Sequence, residues 1–187
     1  SLTLDNGSVG NGKPMWEMAT PETEDFTGSN FGGGGTAWIR ITSDTALNTD
    51  EWSHIAATYD GSDAKLYVNG SETATGSRTG AIHYNANESV TLGGGADYQN
   101  QDMYAGYLDE VAIWDVALSA ADITAIYNSG LPNDLTSGSS YDTDRSGDLQ
   151  GWWRFEENTG STVADSSANS NTGTLKNGAA FIENVPS

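Results

Sequence analysis

The chain has 187 residues, 36% hydrophobic and 10% aromatic, with 23 glycines and no cysteine, which predicts one ordinary domain with a true core and many tight turns. That composition excludes disorder, disulfides, thiolate metal sites and a cysteine nucleophile. With 26 acidic residues against 7 basic, a net charge of −19 is the wrong sign for nucleic acid or an anionic membrane and favours cations, neutral sugars or a basic protein surface, unless acidity only keeps an exposed protein soluble.

Strand-like segments lie between Gly/Asn/Asp/Ser turns in the spacing of an all-β sandwich. Ser1 to Leu4 leads into the turn Asp5-Asn6-Gly7, and Met15 to Met18 is a short strand candidate. Pro21 to Gly35 is a polar, Gly-rich loop, and Thr36 to Ile41 alternates as a strand. Glu51 to Tyr59 reads as a strand, Asp60-Gly61 as a loop, Ala64 to Val68 as a strand and Asn69-Gly70 as a turn. Val90 to Gly93 is a further strand, and Tyr104 to Trp114 a long one with a bulge at Gly106. One short helix is expected near residues 119–129. Ser119 caps it, Asp122 sits at the third helical position, Leu118 and Ile123 form a hydrophobic staple, and Gly130 and Pro132 stop it. Residues 136–148 are an acidic Ser/Gly/Asp linker by composition. Strands resume at Leu149 to Phe155, Gly173 to Leu175 and Ala179 to Ile182.

Glu51-Trp52-Ser53-His54-Ile55-Ala56-Ala57-Thr58-Tyr59-Asp60-Gly61, Leu66-Tyr67-Val68-Asn69-Gly70, Gly106-Tyr107-Leu108-Asp109-Glu110-Val111-Ala112-Ile113-Trp114 and Ala117-Leu118-Ser119 follow one another in this order. Together they closely resemble the laminin-G-like, concanavalin-A-like family over residues 36–130. The resemblance implies an antiparallel β-sandwich of jelly-roll type. Gly151-Trp152-Trp153-Arg154-Phe155-Glu156-Glu157 and Val163 to Leu175 resemble the beginning of such a domain, yet here they follow the segment they normally precede. Residues 1–135 are therefore a jelly-roll body lacking its usual opening strands, and 149–187 are opening strands that pack on this copy or a neighbouring one. Three explanations stay open: a slice of a tandem array, a permuted domain whose tail folds back, or completion by a neighbour's strands. Ser1 with no signal-peptide pattern after it leads to the expectation of a processed product, a cloned portion or a fragment. Openings similar to Asp144 to Trp153 occur in modules of marine phage structural proteins, and the family is also found in bacterial surface proteins.

In the family, a turn like 165–171 and an acid at the place of Asp109 often bind structural calcium. The resemblance thus implies Asp109, Asp165, Asn169 and Asn171 as ligands. Hard cations take such oxygens on loops, although Asn and Asp also serve turn conformations. Asp142, Asp144 and Ser146 with Gly147 imitate the start of an EF-hand loop, but position twelve is Trp153 where a Glu is needed, so a flexible linker is the better reading. For sugar binding, Trp16, Tyr98, Gln99, Asn100, Gln101, Asp102 and Tyr104 are the candidates, most of them on or beside one polar loop. Tyr98, Asn100, Gln101, Asp102 and Tyr104 form the expected ligand site. Trp38, Trp52, Trp114 and Trp153 read as core.

Catalysis is not expected. Asp109 and Glu110 are adjacent, so in a strand they point to opposite faces, unlike a retaining pair about 5 Å apart. Glu156 and Glu157 have the same defect. His54 alternates with Trp52, Ala56 and Thr58 in a structural place, and His83 lies in a polar turn. Two functions survive. One is a calcium-stabilised extracellular recognition or adhesion module that binds a glycan or surface protein. The other is a structural or decoration subunit of a virion or filament, assembled from copies of this chain by strand complementation. Either places the chain outside the cell, on a cell surface or on a virion surface.

Overall fold

The computed structural model describes residues 2–4, 12–20, 37–77, 79–82, 89–94 and 104–182. Its elements are short antiparallel strands with a single α-helix among the described residues, the all-β class expected. They group into two compact units, one of Ser1–His83 with Trp114–Asp148 and one of Tyr84–Ile113 with Leu149–Pro186.

The first unit holds two three-stranded sheets. β1 (Leu2–Leu4), β2 (Pro14–Thr20) and β3 (Ala37–Thr42) form one, in that order. β4 (Ile55–Tyr59), β5 (Asp63–Val68) and β6 (Ser71–Ser77) form the other. Alternation explains how they meet, since successive side chains in a strand face opposite sides. Ala64 and Leu66 of β5 pack with Met18 of β2 and Ile41 of β3, joined by Trp16, Ile55, Ala57, Tyr59 and Ala74. That cluster is the interior of a sandwich. Tyr67, one step out of phase, faces the other way and packs with Leu118 and Ile123, beside Ala56, Trp114 and Ile126.

The turn between β5 and β6 is Asn69-Gly70, with φ of 48° and 76°, the left-handed pair of a two-residue hairpin. A Cβ on Gly70 would lie 2.9 Å from the Tyr127 ring, so glycine is required on two counts. β6 was not legible in Ser-Glu-Thr-Ala-Thr-Gly-Ser because it carries no apolar stripe; pairing with β5 makes it a strand.

Helix α1 (Ala120–Tyr127) begins as expected. Ser119 Oγ accepts from Asp122 N at 3.0 Å, and Asp122 Oδ2 accepts from Ser119 N at 3.1 Å, a closed capping box. Leu118 and Ile123 share one cluster, as the staple requires. Asp122 has no accessible surface, and its Oδ1 accepts from Thr143 N at 2.9 Å.

Residues 136–148, linker-like in composition, bury Ser140 and Tyr141. Tyr141 is buried; its hydroxyl donates to Leu135 O at 2.7 Å and accepts from Trp114 Nε1 at 3.2 Å, with the two rings edge-on. In the imitation EF-hand Asp144 serves a turn, its Oδ1 accepting from Ser146 N and Oγ.

In the second unit β7 (Val111–Trp114) pairs with β8 (Leu149–Trp153), and β9 (Thr162–Val163) pairs with β10 (Gly173–Thr174). The tail strand thus lies beside a strand of its own chain. Several expected strands are shorter or missing. Residues 51–54, 90–93, 104–110 and 179–182 are not in strands. Gly93 and Glu110 adopt positive φ, 75° and 51°, which breaks an extended run at each place. Trp52, read as core, is 37% exposed because the strand starts only at Ile55.

Burial alone would raise the Asp122 carboxyl, but bonds from Thr143 N and Ser119, with Arg145 nearby, hold it below the usual carboxylate range. An acid depressed on folding contributes stability above its unfolded pKa and loses it as pH falls through the folded one. Asp122→Ala is expected to cost about 3 kcal/mol at pH 7 and to lower Tm by roughly 6–12 °C. The deficit should shrink below about pH 4, as thermal melts at several pH values will read.

Candidate functional site

Strand β8 organises the second unit because its side chains pack while its backbone groups bond the turn after β9. Leu149, Trp152 and Trp153 are buried. Gly151 lacks a side chain where the Trp153 indole lies, a Cβ there falling 2.6 Å from the ring. The turn after β9 folds back over β8 through Asp165. Its Oδ1 accepts from Trp152 N and Ser167 N, each at 2.8 Å, and its Oδ2 from Asn171 N at 2.8 Å and Ser167 Oγ at 2.9 Å. Burial would raise its carboxyl, but these donors outweigh that and hold it low. Asn169 Nδ2 donates to Leu149 O and Gln150 O, and Asn171 Nδ2 donates to Gln150 O at 2.8 Å.

Three of the four expected calcium ligands, Asp165, Asn169 and Asn171, therefore converge on one turn against β8. Asp109 does not join them by any hydrogen bond; its carboxylate accepts from Glu110 N at 3.1 Å. Both Asp165 oxygens are already engaged by N–H and O–H donors, and a calcium ion there would have to displace some of them. Among the described residues, no group of three or more His, Asp or Glu is arranged to hold a metal.

Glu110 departs from the strand geometry assumed for it. With φ at 51° it is not pleated, so adjacency to Asp109 does not place the two on opposite faces. Its Oε2 accepts from Trp152 Nε1 at 2.7 Å and its Oε1 from Arg154 Nε at 3.3 Å, while the Arg154 guanidinium lies 5.0 Å from the Trp152 ring centroid. Asp109 beside it is pushed up to about 6, by burial first and then by the negative charges of Glu110 and Glu156.

Of the expected sugar-binding residues, Tyr98, Asn100, Gln101 and Asp102 lie outside the described residues, as does Gln99. Tyr104 is exposed, with its ring against Gly106 and its N–H on Gly93 O at 2.9 Å. Trp16 is half-buried in the sandwich core and is not a platform. The first unit carries a groove that sequence reasoning missed, about 550 Å³, lined by Thr42, Asp44, Thr45, Glu72, Thr73 and Thr75 with Ala74. Asp44 N donates to Thr73 O at 3.1 Å, which fixes the loop after β3 against β6 at this place. No local signal marked it, because its residues come from segments about thirty positions apart.

A family model described as the concanavalin A-like lectin/glucanases superfamily matches residues 3–124. The chain belongs to that superfamily. Human pappalysin-1 is 39% identical over 77 residues, 39% of this chain and 4% of that protein, and mouse pappalysin-1 is 34% identical over 79 residues, 40% and 5%. The chain thus spans about a twentieth of the length of these curated relatives. A Bacteroides ovatus structure described as a "putative carbohydrate binding protein" matches with TM-score 0.50 and 20% identity, over 82% of this chain and 43% of that one. An S-layer domain-containing protein of Clostridium thermocellum matches with TM-score 0.34 and 23% identity, over 68% and 61%. The Bacteroides ovatus match shows a shared fold over more of the chain than the superfamily model covers.

Within this superfamily member, Asp109 offers a direct test of the expected calcium. A carboxyl raised on folding favours the fold below its unfolded pKa, and that contribution is lost as pH rises through the folded value near 6. Asp109→Asn is expected to raise Tm at pH 7.5 and to leave it unchanged near pH 4. In chelator, a carboxyl NMR titration should show a midpoint near 6. Calcium coordinated by Asp109 would bring that midpoint down; an unchanged midpoint removes Asp109 from the ligand set.

Proposed function

We propose that the chain is a non-catalytic carbohydrate-binding module that works outside the cell, with neutral glycans as its ligands. The observation that carries this reading is the groove of the first unit. Its Thr42, Thr45 and Thr75 hydroxyls both donate and accept, Thr73 Oγ1 donates to Leu66 O at 3.3 Å and can still accept, and Asp44 accepts together with Glu72, whose Oε2 is already paired with Lys65 Nζ at 3.1 Å, a lining matched to sugar hydroxyls. Superfamily membership and the carbohydrate binding named for the Bacteroides ovatus protein support it. The net charge of −19 disfavours acidic glycans. Among the described residues no aromatic side chain lines the groove, so the affinity it predicts is modest. A non-catalytic role is supported by Glu110, whose two oxygens are both engaged, by Trp152 and Arg154. A calcium ion at Asp109, Asp165, Asn169 and Asn171 remains a separate proposal carried by the family resemblance.

On an array of neutral, uronate and sulfated glycans, retention of neutral members alone is expected. Replacing Asp44 and Glu72 together by alanine should weaken that binding about tenfold, the loss of roughly 1.4 kcal/mol. No retention of any neutral glycan rejects the reading.

One observation favours a second reading, that of a structural or decoration subunit of a virion or filament. On the second unit Val90 and Tyr107 are 64% and 56% exposed, with Leu92, Tyr104 and Leu108 exposed beside them in sequence. Apolar surface of that kind favours contact between proteins. Light scattering across a concentration series separates the two: a mass that grows supports assembly, and a constant monomer mass removes it.

A further inference from the structure

In the first unit the end of helix α1 meets the β5–β6 turn beside a half-buried histidine. The His54 ring lies 5.8 Å from the Tyr127 ring, the two planes tilted by 37°. His54 N donates to Asn69 Oδ1 and His54 O accepts from Asn69 N, each at 2.9 Å, which ties His54 to the turn. The same turn holds the helix end. Tyr127 presses on Gly70, and Thr124 Oγ1 donates to Gly70 O at 3.1 Å. His54, the turn and the last residues of α1 therefore form one cluster.

His54 Nδ1 is shielded from solvent and has no hydrogen-bond partner. The acceptors of the cluster are already bonded. Asn69 Oδ1 takes the His54 amide, Gly70 O the Thr124 hydroxyl, Thr124 O the Asn128 amide and Ala125 O the Asn133 side chain. A neutral imidazole can leave Nδ1 as a bare acceptor, but the imidazolium carries an N–H there, a buried charged donor with nothing to receive it. No carboxylate offsets that charge. Residues 124–127 of α1 carry none, and neither does the Asn69-Gly70 turn. Asp122, in the first turn of the helix, is held by Ser119 and Thr143. On the sheet, Glu72 pairs with Lys65 at 3.1 Å and Tyr67 bonds Thr58. Burial alone, with no charged neighbour adding to it, lowers the His54 imidazole below its ordinary value.

We propose that His54 is an acid-sensitive latch: with its imidazole neutral the last turn of α1 rests on the β5–β6 turn, and uptake of a proton releases it. Opening brings Nδ1 to water, where an imidazolium is at no disadvantage, so the open form binds the proton more tightly than the closed one. The closed form holds fewer protons. Its advantage is therefore complete above the ordinary histidine value of 6.5 and falls as pH drops below it. The sandwich cluster of Met18, Ile41, Ala64 and Leu66 lies on the other face of β5 and stays closed. Acid loosens one surface element on a sheet that remains folded.

Amide hydrogen exchange of the full chain at pH 7.5 and 5.0, corrected for intrinsic rates, tests this. At pH 5.0 a freed imidazole of ordinary affinity is protonated about thirty to one, which caps the effect. Asp122, held low, is still ionised there. Protection of the amides of residues 124–127 is expected to fall roughly tenfold between the two pH values while that of β2 and β3 holds. His54→Phe keeps a ring against Tyr127 but takes up no proton, and it should abolish the fall. His54→Gln, which also does not titrate, replaces it if the Phe variant does not fold. An NMR titration of the wild type should give His54 a midpoint below 6.5. Protection at 124–127 that ignores pH overturns the latch, as does an equal fall in the non-titrating variant or a His54 midpoint at or above 6.5. An equal loss in β2 and β3 also overturns it, because the first unit then opens as a whole.

Discussion

The β4–β5 hairpin packs against other elements on both faces, and that constraint organises the first unit. Ala64 and Leu66 close the sandwich against Met18 and Ile41, while Tyr67 takes the opposite side with Leu118 and Ile123. A two-residue turn at Asn69-Gly70 sets the register of β6, and Gly70 is pressed against Tyr127 of the helix. A slip of one residue would turn Leu66 out of the sandwich and Tyr67 into it, so the register is strongly specified. The groove between the loop after β3 and β6 is built where the β5–β6 register shifts between Leu66 and Tyr67, with Thr73 to Thr75 at and beyond that irregularity.

The acidity of the chain shapes how its interior polar groups are satisfied. With 7 basic residues against 26 acidic ones, few carboxylates can have a cation of their own. Two critical ones are held mainly by backbone N–H groups instead. Asp122 takes Ser119 N and Thr143 N, and Asp165 takes Trp152 N, Ser167 N and Asn171 N. Hydrogen bonds to the charged form keep both acids ionised despite burial. Asp109 has one such donor together with two acidic neighbours, and its carboxyl shifts the other way. The number of donors converging on each acid separates its role from that of its neighbours.

The polar groove of the first unit lies outside the sandwich interior, lined by hydroxyls and carboxylates with one alanine. The described tryptophans are mostly turned to other work: Trp16 packs in the sandwich, Trp152 and Trp153 of β8 are buried, and Trp114 packs against Tyr141. Among the described residues, the groove therefore offers hydrogen-bonding groups and no aromatic face.

Much of the fold was legible in order along the chain. Alternation in Ile55 to Tyr59 and Ala64 to Val68, the Asn-Gly turn, and the Ser119/Asp122 cap with its Leu118–Ile123 staple all act within a few residues, where sequence spacing determines geometry. The family resemblance placed the all-β class. Sequence alone over-extended strands at 90–93 and 104–110, where positive φ at Gly93 and Glu110 breaks the run, and it missed β6, whose polar residues become a strand only by pairing. Asp165, Asn169 and Asn171 share one turn because they are neighbours along the chain, but their partners on β8 were not legible. Glu110 meeting Trp152 across 42 positions, Asp122 meeting Thr143 across 21, and the groove built from β3 and β6 were decided by tertiary packing alone. A hydrogen-bond partner that far along the chain is chosen by which surfaces the core brings together, and no local periodicity encodes it.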